Sequence, residues 1–563
     1  MSGKHSEIDA ITLEILYNSL KSVTDETYIT ITKAAYSTNI KERRDHSTAI
    51  MDATGRLIAQ ADNSLPIHLA SMLGLMERLL AKFPAGRIEP GDIFVANDPY
   101  VAGGTHLPDV NLAMPVFVGG ELLGFVCNLA HHADIGGMAP GSMAGGMSEI
   151  YQEGLRIPVV KLFSRGELVR DVLDLLLLNV RVPEERRGDY FAQVAACRLG
   201  ERRLQEVARR YPPELIRDAF ETILDRTEAR IRGAVSGIPD GTYGFRDILD
   251  NDGMGTDDIP IQVSVTVTGE DIRFDFAGTG PQVKGNVNVT LNATQSAVYY
   301  TLKGLLDPEI PNNHGLIRAV EITAPEGSIV NAVFPAAVAG RANTTQRIID
   351  VLIGALAEAL PERAVGAANG ANTTAVFFGN DPVRKRPYVY LETLGGGFGG
   401  RASKDGKDGV QVHITNTSNL PVEAIEMEYP LMVESYGLIE DSGGAGTYRG
   451  GLGLRRVIRP VGHDTVFSGM GERFRHQPWG IFGGGPGKVG RFALRDSGGR
   501  EEPLSDKPNG IVVDPAHAVV VETPGAGGYG PPSARDPALL ARDGDSGKFS
   551  RGFLERNYRR AKG

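Results

Sequence analysis

Two cysteines, Cys127 and Cys197, are all that 563 residues contain. That number excludes a disulfide framework. Two isolated thiols fit a reducing compartment, so a cytoplasmic protein with both sulfurs buried is expected. Tryptophan is nearly absent, with Trp479 alone, which leaves little for stacking on bases. There is no long basic block and the net charge is −10. Nucleic acid and anionic membrane are therefore not expected as partners. No apolar run reaches the ~18 residues of a membrane span. The opening MSGKHSEIDAITLEIL lacks the apolar stretch of a secretory signal. Nucleotide and acyl-transfer signatures are missing too: neither a GxxxxGK[ST] loop nor a GxSxG elbow occurs.

Glycine, in contrast, is plentiful. The 71 residues are scattered along the chain, with clusters at 395–400, 442–453 and 483–490 and no collagen-like period, which predicts tight turns and irregular loops rather than disorder. With 41% hydrophobic and 23% charged residues the chain has an ordinary globular composition, and its length suggests roughly three or four domains.

Periodicity places the elements. A helix is predicted over 9–35, with Asp9 as N-cap and an apolar stripe of Ile11, Ile15, Leu16, Leu20 and Val23. Ile50-Met51 and Leu57-Ile58 flank the turn DATG, a hairpin signal. Residues 66–83 read as helix with Pro66 in the first turn, and 92–96 as strand. Two amphipathic helices follow at 183–210 and 213–233. Residues 261–276 alternate strictly, predicting a hairpin with one buried face. Further helices are expected at 292–305 and 344–360, and short strands with Gly-rich turns from 385 onward. The expected fold is a mixed, multi-domain α+β architecture: a metal-binding part with hairpins and helices (1–240), an α/β middle domain (241–380) and a β-rich C-terminal domain (381–563). The last stretch, GKFSRGFLERNYRRAKG, is basic and reads as a solvated surface tail, with a partner-docking segment as the alternative.

Of only 11 histidines, three fall between Gly103 and Gly137. His106 and Asp109 precede an apolar run broken by Gly119-Gly120; His131, His132 and Asp134 follow it. Two strands joined at the glycine pair would bring those ends together. Imidazole and carboxylate suit Zn, Mn or Fe(II). The plainer alternative is a hydrogen-bonded cluster that ties loops down. A strict two-residue turn sets Asp109 opposite Ala130 and puts His132 on its face; a longer turn or a bulge selects His131 instead. The sequence leaves both open. A second group, IKERRDHS, reads either as a solvated charged turn or as a carboxylate ligand, Asp45, beside the anion-binding Arg43 and Arg44. GGGFGG fits GxGxxG, but no helix pattern follows it, so a tight loop lining a cleft with Arg401 is preferred over a dinucleotide site. DNDGMGTDD lacks the spacing of a calcium loop.

Several stretches then carry a resemblance. YSTNIKERRDHSTAIMDATGRLIAQ, LPIHLASM, GDIFVANDPYVAGGTHLPDVNLAMPVF, NLAHHADIGGMAPGSM, EIYQEGLRIPVVKLF and ETLGGGFGGRASKDGKDGVQVHITNTSNLPVEAIE together resemble the hydantoinase B/oxoprolinase family over nearly the whole chain. The resemblance implies one subunit of an ATP-dependent amidohydrolase or of a related ketone carboxylase. In such systems a hydantoinase-A-type partner with an actin-like ATPase fold uses ATP to phosphorylate a carbonyl oxygen. The B component holds a divalent metal (Zn, Mn or Fe) and completes the reaction, which accounts for the missing nucleotide motif. Carried onto this sequence, the family's ligands are Asp45, His106, Asp109 and His131, favouring the shifted register. Arg43 and Arg44 are then expected to stabilise developing negative charge, and His132 or Asp134 to act as general base or to orient a ligand. Opening of a lactam, hydantoin or 5-oxoproline-type cyclic amide is favoured over ketone carboxylation, because no long insertion is present. A non-catalytic scaffold is the third reading, and the intact ligand set speaks against it. Transfer of a reactive intermediate calls for a permanent interface, expected in an A2B2 or larger assembly.

Overall fold

The structure, a computed structural model, describes residues 8–558. Asp9 begins the first helix, Ala10–Ala34, by accepting hydrogen bonds from the amides of Ile11 and Thr12. The buried stripe is Leu13, Leu16, Leu20 and Val23, continued by Thr27 and Ile31. Ile11 and Ile15, expected inside, are 74% and 48% exposed. They lie one step off the repeat that Leu13, Leu16 and Leu20 set.

A seven-stranded, wholly antiparallel sheet positions the site. Its strands are β1 (His46–Asp52), β2 (Leu57–Gln60), β3 (Ile93–Ala96), β4 (Asp109–Val118), β5 (Glu121–His131), β6 (Val160–Ser164) and β7 (Glu167–Leu168), in the order β2-β1-β5-β4-β3-β6-β7. The alternation of β5 divides its two faces. Phe125, Cys127 and Leu129 pack with Met72, Leu75 and Met76 of the helix Leu69–Lys82. Val126 packs on the other side with Leu16 and Leu20 of the first helix and Leu204 of the helix Pro183–Arg210. Both cysteines are buried and unpaired.

The hairpin β4–β5 turns at Gly119 and Gly120, both with positive φ. Val118 faces Glu121, as a two-residue turn requires. The register then slips: Phe117 faces Leu122 but Val116 faces Gly124, so Leu123 is one extra residue in β5. Every later pair is shifted by one, and Asp109 faces His131.

Downstream, the strands Gly241–Asn251, Asp257–Thr268, Asp271–Asp275 and Val320–Thr323 form a second sheet, whose last pair is parallel. Ile261, Val263, Val265, Val267, Ile272, Phe274 and Phe276 are all buried, as their alternation predicts. The helix Arg341–Leu356 starts three residues earlier than expected and is buried along nearly its whole length. Two further antiparallel sheets, of four and five strands, occupy residues 373–522 between glycine-rich loops. The tail segment forms a short helix, Arg551–Asn557, and residues 559–563 lie outside the described part. Among the described residues no helix is long and apolar enough to cross a membrane.

The bulge leaves no room for a side chain at its neighbour. A Cβ on Gly124 would sit 2.3 Å from the Met51 carbonyl oxygen of the adjacent strand. Gly124→Ala should therefore destabilise the chain by about 1–3 kcal/mol, the usual cost of overpacking a rigid core. A shift of the urea midpoint measures it.

Candidate metal centre

Three ligand-type side chains converge at the open end of the β4–β5 hairpin. Nitrogen atoms of His106 and His131 and a carboxylate oxygen of Asp109 all lie within 4.8 Å of one another, and all three residues are buried. Asp109 and His131 share a face because they are cross-strand partners. His106 comes from the turn just before β4, where the Asp109 amide bonds its carbonyl at 3.3 Å. Asp45 immediately precedes β1, and its carbonyl accepts from the His131 amide at 2.9 Å. The Asp45 carboxylate faces the same small cavity, 3.6 Å from Nε2 of His68, which is itself 3.8 Å from Asp109.

The donor set fits a divalent cation. Nδ1 of His106 lies 3.1 Å from the Ala339 carbonyl, which assigns the ring proton to Nδ1 and turns a lone pair of Nε2 inward. That Nε2 is 3.0 Å from Oδ1 of Asp109. Yet among the described residues neither buried atom makes a hydrogen bond. Two atoms each ~2.1 Å from one ion, roughly at right angles, are about 3 Å apart. Oδ2 of Asp109 is already taken, by the guanidinium of Arg341 and by Thr105 at 3.2 Å. His131 is steadied by Asn39, whose amide nitrogen is 3.1 Å from Nδ1 and donates to the His131 carbonyl at 2.7 Å.

Electrostatics favour the same set. Burial pushes the Asp109 carboxyl up, but Arg341 and His106 outweigh it and hold the group well below the usual carboxylate range. Burial, with His106 and Arg341 nearby, keeps His131 well below the ordinary imidazole value; burial and Arg341 lower His106 as well. A cation needs neutral imidazoles and an ionised carboxylate. Asp45 differs: burial raises it to about 7 against the opposing charge of Arg43. The cavity measures about 30 Å³, enough for an ion or a water but not for a ring-sized molecule.

The other expected residues fall elsewhere. Arg43 is fully buried rather than solvated. It donates to Asn39 and Thr393, reaches Thr417 at 3.3 Å, and stands 3.9 Å from Asp45. Arg44, which turns the chain with φ 60°, is exposed and does not accompany it. His132 points to the opposite face of the sheet, with Nε2 3.0 Å from Gln193 and its ring 4.6 Å from Tyr190. Strand alternation after the bulge sends it there. Asp134 ties its loop down, accepting from the backbone and guanidinium of Arg181, both at 2.9 Å, and from the amides of Gly136 and Gly141. Neither residue faces the cluster. Three residues not singled out from the sequence do matter: His68, Arg341 and Glu153. Glu153 is buried and accepts from the Ala339 amide at 2.7 Å, so it fixes the peptide that orients His106. LPIHLASM contributes to the family resemblance, but no spacing ties His68 to residues so far along the chain.

The Hydantoinase B/oxoprolinase family model matches residues 9–532. A relative in Pseudomonas sp., named as the B component of a D-/L-hydantoinase, is 34% identical over 96% of this chain and 94% of its own. The crystal structure of an ATP-dependent caprolactamase from Pseudomonas jessenii superposes with a TM-score of 0.93 at 30% identity, covering 98% of this chain and 96% of that one. A nucleotide-free acetone carboxylase structure gives a TM-score of 0.89 at 20% identity over 98% of this chain and 80% of that one, a likeness of fold alone.

The Glu153 tether has a pH signature. Burial raises its carboxyl to about 8, against about 4.3 in an unfolded chain. Between those values the folded chain holds a proton that the unfolded chain has released, so this group's contribution to stability falls as pH rises. Glu153→Gln should therefore gain stability relative to the unsubstituted chain between pH 5 and pH 8, by about 2 kcal/mol or more. Urea midpoints at the two pH values check this; a pH-independent difference would show that the carboxyl ionises freely.

Proposed function

The chain belongs to the hydantoinase B/oxoprolinase family, and on that footing we propose that it is the metal-holding subunit of an ATP-dependent amidohydrolase. A hydantoinase-A-type partner uses the ATP and phosphorylates the carbonyl oxygen of a lactam, hydantoin or 5-oxoproline-type cyclic amide. This chain completes the opening of the ring by water. The observation that carries the reading is the approach of Nε2 of His106 to Oδ1 of Asp109, both buried and unbonded, beside His131.

His106, Asp109 and His131 would hold a divalent ion, Zn, Mn or Fe, with Asp45 as the fourth group. When bound, the ion supplies Lewis-acid stabilisation of negative charge and acidifies water. The remaining work falls to the chain. Arg341 keeps Asp109 ionised and aimed, and the Ala339 carbonyl fixes the His106 tautomer. His68 stands between Asp45 and Asp109, its imidazole lowered to about 4 by burial, with Nδ1 2.8 Å from Ser47. Kept neutral, the ring stays anchored through Nδ1 and turns Nε2 toward the two acids, where it can orient Asp45 or a water in the cavity. Arg43 holds the wall formed by Thr393 and Thr417.

Ring opening is preferred to ketone carboxylation. A hydantoinase component and a caprolactamase lie at 34% and 30% identity, whereas the acetone carboxylase lies at 20% and extends beyond the match. A phosphorylated intermediate is reactive and has to pass from the partner without meeting bulk water, which a permanent A2B2 or larger assembly provides.

Two measurements test the reading. Purified chain should carry about one ion, by elemental analysis, and His106→Ala or Asp109→Asn should lower that content at least tenfold. His132→Gln should leave it intact. Unchanged metal in His106→Ala would overturn the site. Co-expressed with its ATPase partner, the chain should support ATP turnover with 5-oxoproline, hydantoins or small lactams and without bicarbonate; a bicarbonate requirement would move the assignment to carboxylation.

A further inference from the structure

The cavity at the candidate metal centre is lined by a second set of polar groups that the ligand set does not use: Asn372, Thr393 and Thr417. Asn372 directly precedes the strand Thr373–Asn380. Thr393 lies on the antiparallel partner of that strand, Pro387–Leu394, where it faces Thr374. The start of one strand and the end of the next thus deliver both residues to the same end of a sheet. Asn372 is held there by its backbone. Its amide donates to Oδ1 of Asn343 at 2.8 Å, and its carbonyl accepts from the Thr374 hydroxyl at 2.8 Å.

The side chain of Asn372 has no such tie. The residue is 6% exposed, and among the described residues its carboxamide makes no hydrogen bond. Oδ1 is sealed off without a partner, while Nδ2, equally unpartnered, keeps surface on the cavity. A buried amide left unsatisfied costs stability that an apolar side chain of the same size would not. Such a cost is characteristic of groups kept for a ligand. The two hydroxyls are committed on one side only. Both oxygens accept from Arg43, and among the described residues neither hydroxyl donates, so their protons are available. Thr415, on the same lining, differs: it gives its proton to the Val412 carbonyl at 2.9 Å. Three donors, two of them backed by a buried guanidinium, favour an atom that carries negative charge. A cavity of about 30 Å³ has room for little more than an ion and one such atom.

We propose that Asn372, Thr393 and Thr417 form a donor-lined seat for a single small anion, and that its occupant is the hydroxide consumed in ring opening. Nδ2 of Asn372 donates to that oxygen, and the threonine hydroxyls turn to it from their anchors on Arg43. Asn372 is thereby a catalytic residue. Arg43 is a positioning residue that acts through the two hydroxyls. The seat holds and orients its occupant, and no proton moves within it. It deepens the amidohydrolase reading and rests on it for the reaction.

Asn372→Leu tests the seat directly, because it removes no hydrogen bond from the folded chain. Its urea midpoint should hold or rise, and its metal content should be unchanged. Fluoride, a one-atom anion of the size of hydroxide, should bind the metal-loaded full chain in calorimetry and should bind the variant at least tenfold more weakly. Thr393→Val should weaken fluoride as well, and Thr393→Ser, which keeps the hydroxyl, should restore it. In the complex with the ATPase partner, Asn372→Leu should lower kcat for ring opening at least tenfold, in the range seen when one donor to a developing anion is lost, with KM for the cyclic amide little moved. Equal fluoride affinity in Asn372→Leu and the unsubstituted chain, no fluoride binding to either, or a urea midpoint that falls in the variant would overturn the proposal. The two readings fail separately. ATP-dependent ring opening with kcat unmoved in Asn372→Leu would remove the seat and keep the reaction. Asn372-dependent fluoride binding with no cyclic amide consumed by the complex would do the reverse.

Discussion

Asp109 meets His131 rather than Ala130 because β5 carries one residue, Leu123, that has no partner on β4. That insertion rotates everything beyond it by one strand position. The odd-numbered residues of β5 then line up from Phe125 to His131 on the face covered by the helix that His68 precedes. The even-numbered ones, ending in His132, look toward the helix Pro183–Arg210. Two adjacent histidines thus acquire different chemical lives from a backbone feature several residues away. Around that pairing the centre is assembled by short connections: a tight turn delivers His106, and the residue leading into β1 is Asp45.

Charge balance supplies the second constraint. A fully buried carboxylate is costly unless it is paired and hydrogen-bonded. Arg341 meets that need for Asp109 from far downstream in the chain, at the first turn of a helix that is itself almost entirely buried. Because Arg341 occupies only Oδ2, the other oxygen stays free. Arg43 acts in a similar way on the opposite rim, drawing Asn39, Thr393 and Thr417 together. Both guanidiniums are buried counter-ions held by fixed partners.

Much of the architecture is legible from local pattern. The Asp9 cap, the glycine-pair hairpin, the strict alternation of 261–276 and the long helices of 183–235 each rest on interactions within a few residues, which sequence periodicity reports directly. The outward direction of Ile11 and Ile15 is not, because the stripe has several apolar neighbours and only packing selects among them. The pairing of His131 with Asp109 is one of two registers open to the residues, and a bulge has no composition signal of its own. His68, Arg341 and Glu153 escape the sequence for a different reason. Each acts through tertiary contacts between distant parts of the chain, and nothing in the spacing of single charged residues announces such a meeting.

The cavity of the candidate metal centre is lined by two distant stretches, Asp45 to Met143 and Arg341 to Thr417. A fragment that stopped short of Arg341 would still contain both imidazoles and both acids, yet it would leave Asp109 without its counter-cation and Arg43 without Thr393 and Thr417. The ligands alone are thus not a portable module. Any gene fusion, truncation or circular permutation of this chain that keeps its chemistry has to keep those two stretches together in one folded body.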